Sequence, residues 1–261
     1  MIITDAAATV FLLPPAALVA LVVLYCLGIV GVVGLLLLRV FDLPAKRAPQ
    51  APFHVAITGV FALMLSFAAS DAWKRGDAAY GALLREVSEV EGLLQVADSV
   101  QGMPGEAVGA GRLREMVKAY LTLSLRDEWG RRNLRSSDAV EGVVQQARGL
   151  ALERLAATGN PVWRVAYDRV EGLHAARTVR LVAGGLFGDM LRWGGLMALF
   201  IAGAVAIGLV HLDRRGAVWG AFWLYAAAGS IALSMVAVTE HPYAGWDATE
   251  PDRLVAILGR L

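Results

Sequence analysis

Apolar residues run almost unbroken through 10–38, 51–70, 193–210 and 216–239, with no Asp, Glu, Lys or Arg in any of these stretches. A helix needs about 20 residues to cross a hydrocarbon core of roughly 30 Å, so each stretch is long enough to span a bilayer. Strands of a membrane barrel alternate polar and apolar positions, and these stretches do not. The pattern predicts an all-α polytopic membrane protein with four transmembrane helices in two hairpins. The first hairpin occupies 1–70, with spans at about 12–39 and 53–70, and the second occupies 192–239, with spans at about 192–210 and 217–239. An extramembrane helical domain is expected between them at 71–191, and a surface tail at 240–261.

Within 71–191 the apolar positions recur every three or four residues, the signature of amphipathic helices. The expected buried sets are Leu83, Val87, Val90, Leu94 and Ala97; Leu113, Val117, Tyr120 and Leu121; Val140, Val143, Ala147 and Leu150; and Val162, Val165, Ala166, Val170 and Leu173. Breaks are expected at 102–105, 130–137 and 158–161, with Ser137 and Asn160 as helix N-caps. No proline interrupts 53–100, which predicts one long helix leaving the second span.

Composition supports the membrane assignment: the mean hydropathy is +0.56, and 57% of residues are hydrophobic against 18% charged. The net charge is +1 with both signs dispersed, which excludes a nucleic-acid-binding face. The single cysteine, Cys26, lies in the first span, so no disulfide framework and no Cys/His metal cluster is expected. The N-terminal ten residues carry no Lys or Arg, and the first apolar run is too long for a signal peptide, so it reads as a retained helix. Arg39, Lys46, Arg47, Arg214 and Arg215 flank the short loops, and by the positive-inside rule they favour placing the central domain outside the cytoplasm. Lys74, Arg75, Arg177 and Arg180 pull the other way.

Candidate chemistry is sparse. His54, Thr58, Phe61 and Leu65 share one helical face, with Ser66 beside it. A pore helix with a hydrophobic constriction at Phe61 and Leu65 has this character. So does an ordinary packing helix whose Thr58 and Ser66 hydroxyls bond to their own backbone. Glu86, Glu89 and Glu91 read as a solvated face with intrahelical pairs such as Arg85 with Glu89. Glu240, Asp247, Glu250 and Asp252 surround a Pro-Tyr-Ala-Gly turn in the tail. No nucleophile elbow, phosphate loop or paired-histidine zinc motif is present, so no enzyme, metal or cofactor is expected.

Four segments carry a resemblance. SDAWKRGDAAYGALLREVSEVEGLL after the second span, AYLTLSLRDEWGRRN, RTVRLV with Trp193, and EHPYAG with DRL resemble the bestrophin-like family of bacterial integral membrane proteins. In that family the tail reads as an acidic residue, a spacer, Pro-Phe and a glycine; here Tyr243 stands in the phenylalanine position and Ala244 precedes Gly245. The positions matching the family's motifs are Asp127, Glu128, Trp129, Arg177, Arg180, Glu240, Pro242, Tyr243 and Gly245. The resemblance implies distant similarity to bestrophins, pentameric anion channels with a pore lined by the second helix and a cation-binding clasp after the last. It further implies a multi-pass protein of the bacterial inner membrane whose partners are lipid, small ions and copies of itself. Bestrophins keep the helical domain in the cytoplasm, opposite to the charge count, and their dense acidic clasp is missing here. The expected function is an oligomeric channel for small anions. The alternative is a non-conducting scaffold or sensor whose central domain binds a partner or signal.

Overall fold

The computed structural model describes residues 13–40, 52–129, 136–184, 190–211, 215–240, 242–243 and 249–261. Among these the chain forms eight α-helices and one π-helical turn. They are α1 (Pro15–Val40), α2 (Pro52–Gln101), α3 (Ala107–Leu123), the π turn (Ser124–Trp129), α4 (Asp138–Thr158), α5 (Val162–Ala183), α6 (Met190–Val210), α7 (Arg215–Thr239) and α8 (Asp252–Leu258). The connections expected at 41–51 and 212–214, most of the break at 130–137, and Gly185, Gly188 and Gly245 lie outside the described residues.

Four of the helices contain a segment long and apolar enough to cross a membrane: α1, α2, α6 and α7. α2 runs for 50 residues without a break, as the lack of proline predicts. The expected breaks at 102–105 and 158–161 are real. Gly105 has φ 76° and Gly159 φ 63°, a left-handed conformation that glycine adopts without a Cβ penalty. Gly159 closes α4 by donating its N–H to the Leu155 carbonyl at 2.9 Å. Asn160 starts α5, its Oδ1 accepting the Val162 N–H at 3.0 Å. Ser137 precedes α4 without a side-chain cap bond; its backbone N–H instead donates to Glu128 Oε1.

The chain divides into two compact units. One comprises Met1–Lys74 and Leu186–Asp247. In it α1 packs against α7 and α6, with Cys26, Phe200 and Phe222 fully buried in the seam. Close approach here depends on Gly34, where an added Cβ would sit 3.1 Å from both Phe222 and Trp219. The outward side chains, including Leu24, Leu224 and Ile231, are apolar and exposed, as lipid-facing positions must be.

The other unit comprises Arg75–Gly185 and Ala248–Leu261. Its core joins the lower part of α2 to α3, α4, α5 and α8 through Leu83, Val90, Leu113, Val140, Trp163, Val170 and Leu254. The helical phase differs locally from the sequence reading. Leu93 and Val144 are the fully buried positions where Leu94 and Val143 were expected, and Val165 is exposed while Trp163 is buried. Trp163 takes its place because its indole N–H finds a carboxylate, Glu106 Oε2, at 3.0 Å.

Candidate functional site: the α2 face and a buried ion network

Along the first turns of α2 the hydroxyls are spent locally. Thr58 Oγ1 donates to the His54 carbonyl at 2.8 Å, and Ser66 Oγ to the Ala62 carbonyl at 2.8 Å. Phe61 is only 6% exposed. Its ring lies 5.9 Å from Phe200 in an edge contact and 6.4 Å from Tyr225, while those two rings stack at 4.8 Å. Leu65 is half-buried against the same cluster. His54 sits near the start of α2, its ring centroid 6.4 Å from that of His211. The side of the helix carrying Val55, Val60, Leu63, Ser66 and Phe67 is exposed in the single chain.

The densest polar chemistry lies in the second unit. Glu86, Glu128, Arg177 and Arg180 are all buried there. Arg180 donates from Nε to Glu86 Oε2 at 2.7 Å, and from Nη2 to Glu128 Oε2 at 2.7 Å and to Ser124 Oγ at 3.1 Å. Its guanidinium also covers the Trp129 ring at 4.8 Å. The Tyr120 hydroxyl donates to Glu86 Oε1 at 2.7 Å. Arg177 donates to Glu128 Oε1 at 2.7 Å and to Glu141 Oε2 at 2.6 Å. Two guanidiniums thus link carboxylates from α2, the π turn and α4.

The charge states follow from this pairing. Burial pushes the Glu128 carboxyl up, but the hydrogen bond from Arg177 and the charge of Arg180 outweigh it and leave the group below its ordinary value. Burial works against the Arg180 charge, yet Glu86, Tyr120 and Glu128 hold its pKa above the ordinary value. Tyr120 is raised well above its usual range, first by burial and then by the Glu86 charge. Glu128 is therefore held ionised at neutral pH, while Arg180 and Tyr120 are held protonated.

The structure therefore brings together Glu128, Trp129, Arg177 and Arg180, and leaves Asp127 outside the cluster, paired with the neighbouring Arg126 at 2.8 Å. Glu86, Tyr120, Ser124 and Glu141 were missed by the sequence reading. The assignment of Glu86 and Glu89 to a solvated face with intrahelical pairs is corrected: Glu86 is fully buried, and Glu89 pairs across to Arg169 of α5 at 3.1 Å. The physical reason is spacing, since Glu86 falls between Leu83 and Val90 on the core-facing stripe of α2. Glu240 is buried and paired with Arg192, Pro242 is buried and Tyr243 is half-buried.

A multi-pass helical membrane protein with four candidate spans is thereby defined. Residues 20–254 match the Bestrophin-like domain, and the chain belongs to the Bestrophin-like family. No curated protein sequence matches it. Two crystal structures share its fold. A membrane protein solved as a single-site variant aligns with a TM-score of 0.66 at 11% identity, covering 92% of this chain and 96% of that one. A mutant bacterial bestrophin homolog from Klebsiella pneumoniae aligns with a TM-score of 0.58 at 15% identity, covering 93% of this chain and 95% of that one.

Proposed function

We propose that the chain is one subunit of an oligomeric ion channel for small anions, with a conducting path lined by α2. The observation that carries the reading is membership of the Bestrophin-like family over nearly the whole chain, together with a fold shared with a bacterial bestrophin homolog. The exposed side of α2, with Val55, Leu63 and Phe67 each more than half exposed, offers a surface for neighbouring copies. The reading places two hairpins, 12–39 with 53–70 and 192–210 with 217–239, in a bacterial inner membrane. A pentamer is its natural oligomer by family resemblance. His54, Thr58, Leu65 and Ser66 are its pore candidates. A gate at Phe61 and Leu65 requires the Phe61 ring to leave Phe200 and Tyr225.

That packing is the specific observation favouring a second reading, a non-conducting scaffold or sensor in which α2 only anchors. Cysteine accessibility separates the two. With Cys26 replaced by serine, Ser66→Cys in reconstituted vesicles should make chloride flux sensitive to a charged, membrane-impermeant thiol reagent. Flux that persists unchanged after complete labelling of the cysteine removes this face of α2 from the path.

A further inference from the structure

The family resemblance implies a cation-binding clasp after the last membrane helix, and the residues found there can be tested against it. Glu240 follows α7 directly, and its side chain is only 3% exposed. A carboxylate so buried requires a counter-charge. Arg192, the third residue of α6, supplies it through an ion pair from Nη2 to Glu240 Oε1. The same guanidinium lies 3.9 Å from Asp71 Oδ2 of α2 through Nη1. One side chain thus joins α2, the start of α6 and the end of α7. The cation sits at a helix N-terminus and the anion at a helix C-terminus, the ends that the helix dipoles disfavour for those charges. Their mutual contact works against that unfavourable dipole effect.

Calcium would demand six to eight oxygen ligands at 2.3–2.6 Å. The guanidinium engages Glu240 Oε1 and brings its own positive charge, which would repel a divalent cation there, so these residues do not fit a bound divalent cation. Among the described residues no three His, Cys, Asp or Glu side chains converge as a metal site, and Glu250 and Asp252 of the tail are exposed. We infer that Arg192 is a built-in cation that takes the place of a metal, tying the end of the last span to α6 and α2 without divalent-ion control. The inference is independent of whether the protein conducts.

The test is thermal unfolding of the purified full chain in detergent, with EDTA or with about 10 mM calcium, a concentration that saturates weak extracellular-type sites. Wild type should melt within about 1 °C in the two conditions, because Arg192 already supplies at Glu240 the charge that a bound calcium would bring. Arg192→Met should melt lower and gain a calcium-dependent rise of about 3 °C or more, as Glu240 and Asp71 recruit the missing charge. Arg192→Lys should recover part of the loss, and Arg192→Met combined with Glu240→Gln should lose the calcium response. A calcium-dependent rise in wild type that Glu240→Gln abolishes would overturn the inference, and that arm stands even if Arg192→Met fails to fold. A flat calcium response in folded Arg192→Met would overturn it equally.

Discussion

Arg180→Met is the sharpest probe of the helical unit, because the substitution keeps much of the side-chain volume while deleting one charge. It strands Glu86, which loses the bond from Arg180 Nε and keeps only the Tyr120 hydroxyl among the contacts described above. Glu128 loses one of its two guanidinium partners. Removing one member of a buried ion pair costs about 3–5 kcal/mol, since the partner charge stays desolvated. For a chain of this size each kcal/mol lowers the melting temperature by about 2–4 °C, which gives a fall of roughly 6–20 °C. The second arm is Glu86→Gln with Arg180→Met. Glutamine can still accept from Tyr120 and carries no charge, so the double variant should recover about 1–3 kcal/mol relative to the sum of the two singles. The assay is a double-mutant cycle by thermal unfolding in one detergent at fixed pH. A loss below about 1 kcal/mol for Arg180→Met, or additivity within about 0.5 kcal/mol, would refute the network as a coupled unit.

Further outcomes follow from the same contacts. Because the folded pKa of Glu128 lies below its ordinary value of 4.5, the stability it contributes is fully present above that value and is lost as pH falls through the folded pKa; Glu128→Gln should flatten the acid limb of a melting-temperature profile run from pH 6 downward, and an unchanged limb would remove Glu128 as its source. At Gly109 an added Cβ would meet Trp163 Cζ2 at 2.8 Å and Arg154 Nε at 3.0 Å, so Gly109→Ala should cost about 1–3 kcal/mol by overpacking, measured by the same unfolding assay. Phe61→Ala should cost about 3–5 kcal/mol through the cavity left beside Phe200 and Tyr225; a neutral effect on melting with raised ion flux would show instead that the ring gates a path.

What was readable from the sequence was the part governed by periodicity and by chain-breaking residues. Long charge-free runs mark the four candidate spans, the absence of proline marks α2 as one helix, and Gly159 with Asn160 marks the turn between α4 and α5. The buried ion network was only half legible. Glu128, Arg177 and Arg180 stood out by family resemblance, but their partner Glu86 was assigned to solvent because a lone carboxylate usually lies there. The signal was present: Glu86 shares a stripe with Leu83 and Val90, while Arg177 and Arg180 share one with Leu173. Opposite charges at core positions of two different helices are evidence of pairing across the bundle, and neither helix reveals it alone. Arg192 was missed for a related reason. Its partners Asp71 and Glu240 are far away in sequence, and only the meeting of α2, α6 and the end of α7 places them together.

The central claim is conduction, and ion flux through the purified protein in liposomes tests it most directly, with chloride and sodium gradients compared in the same preparation. The account predicts chloride flux well above protein-free vesicles and above sodium flux. Vesicles containing folded, oligomeric protein that pass neither ion would contradict it and leave the scaffold or sensor reading in its place.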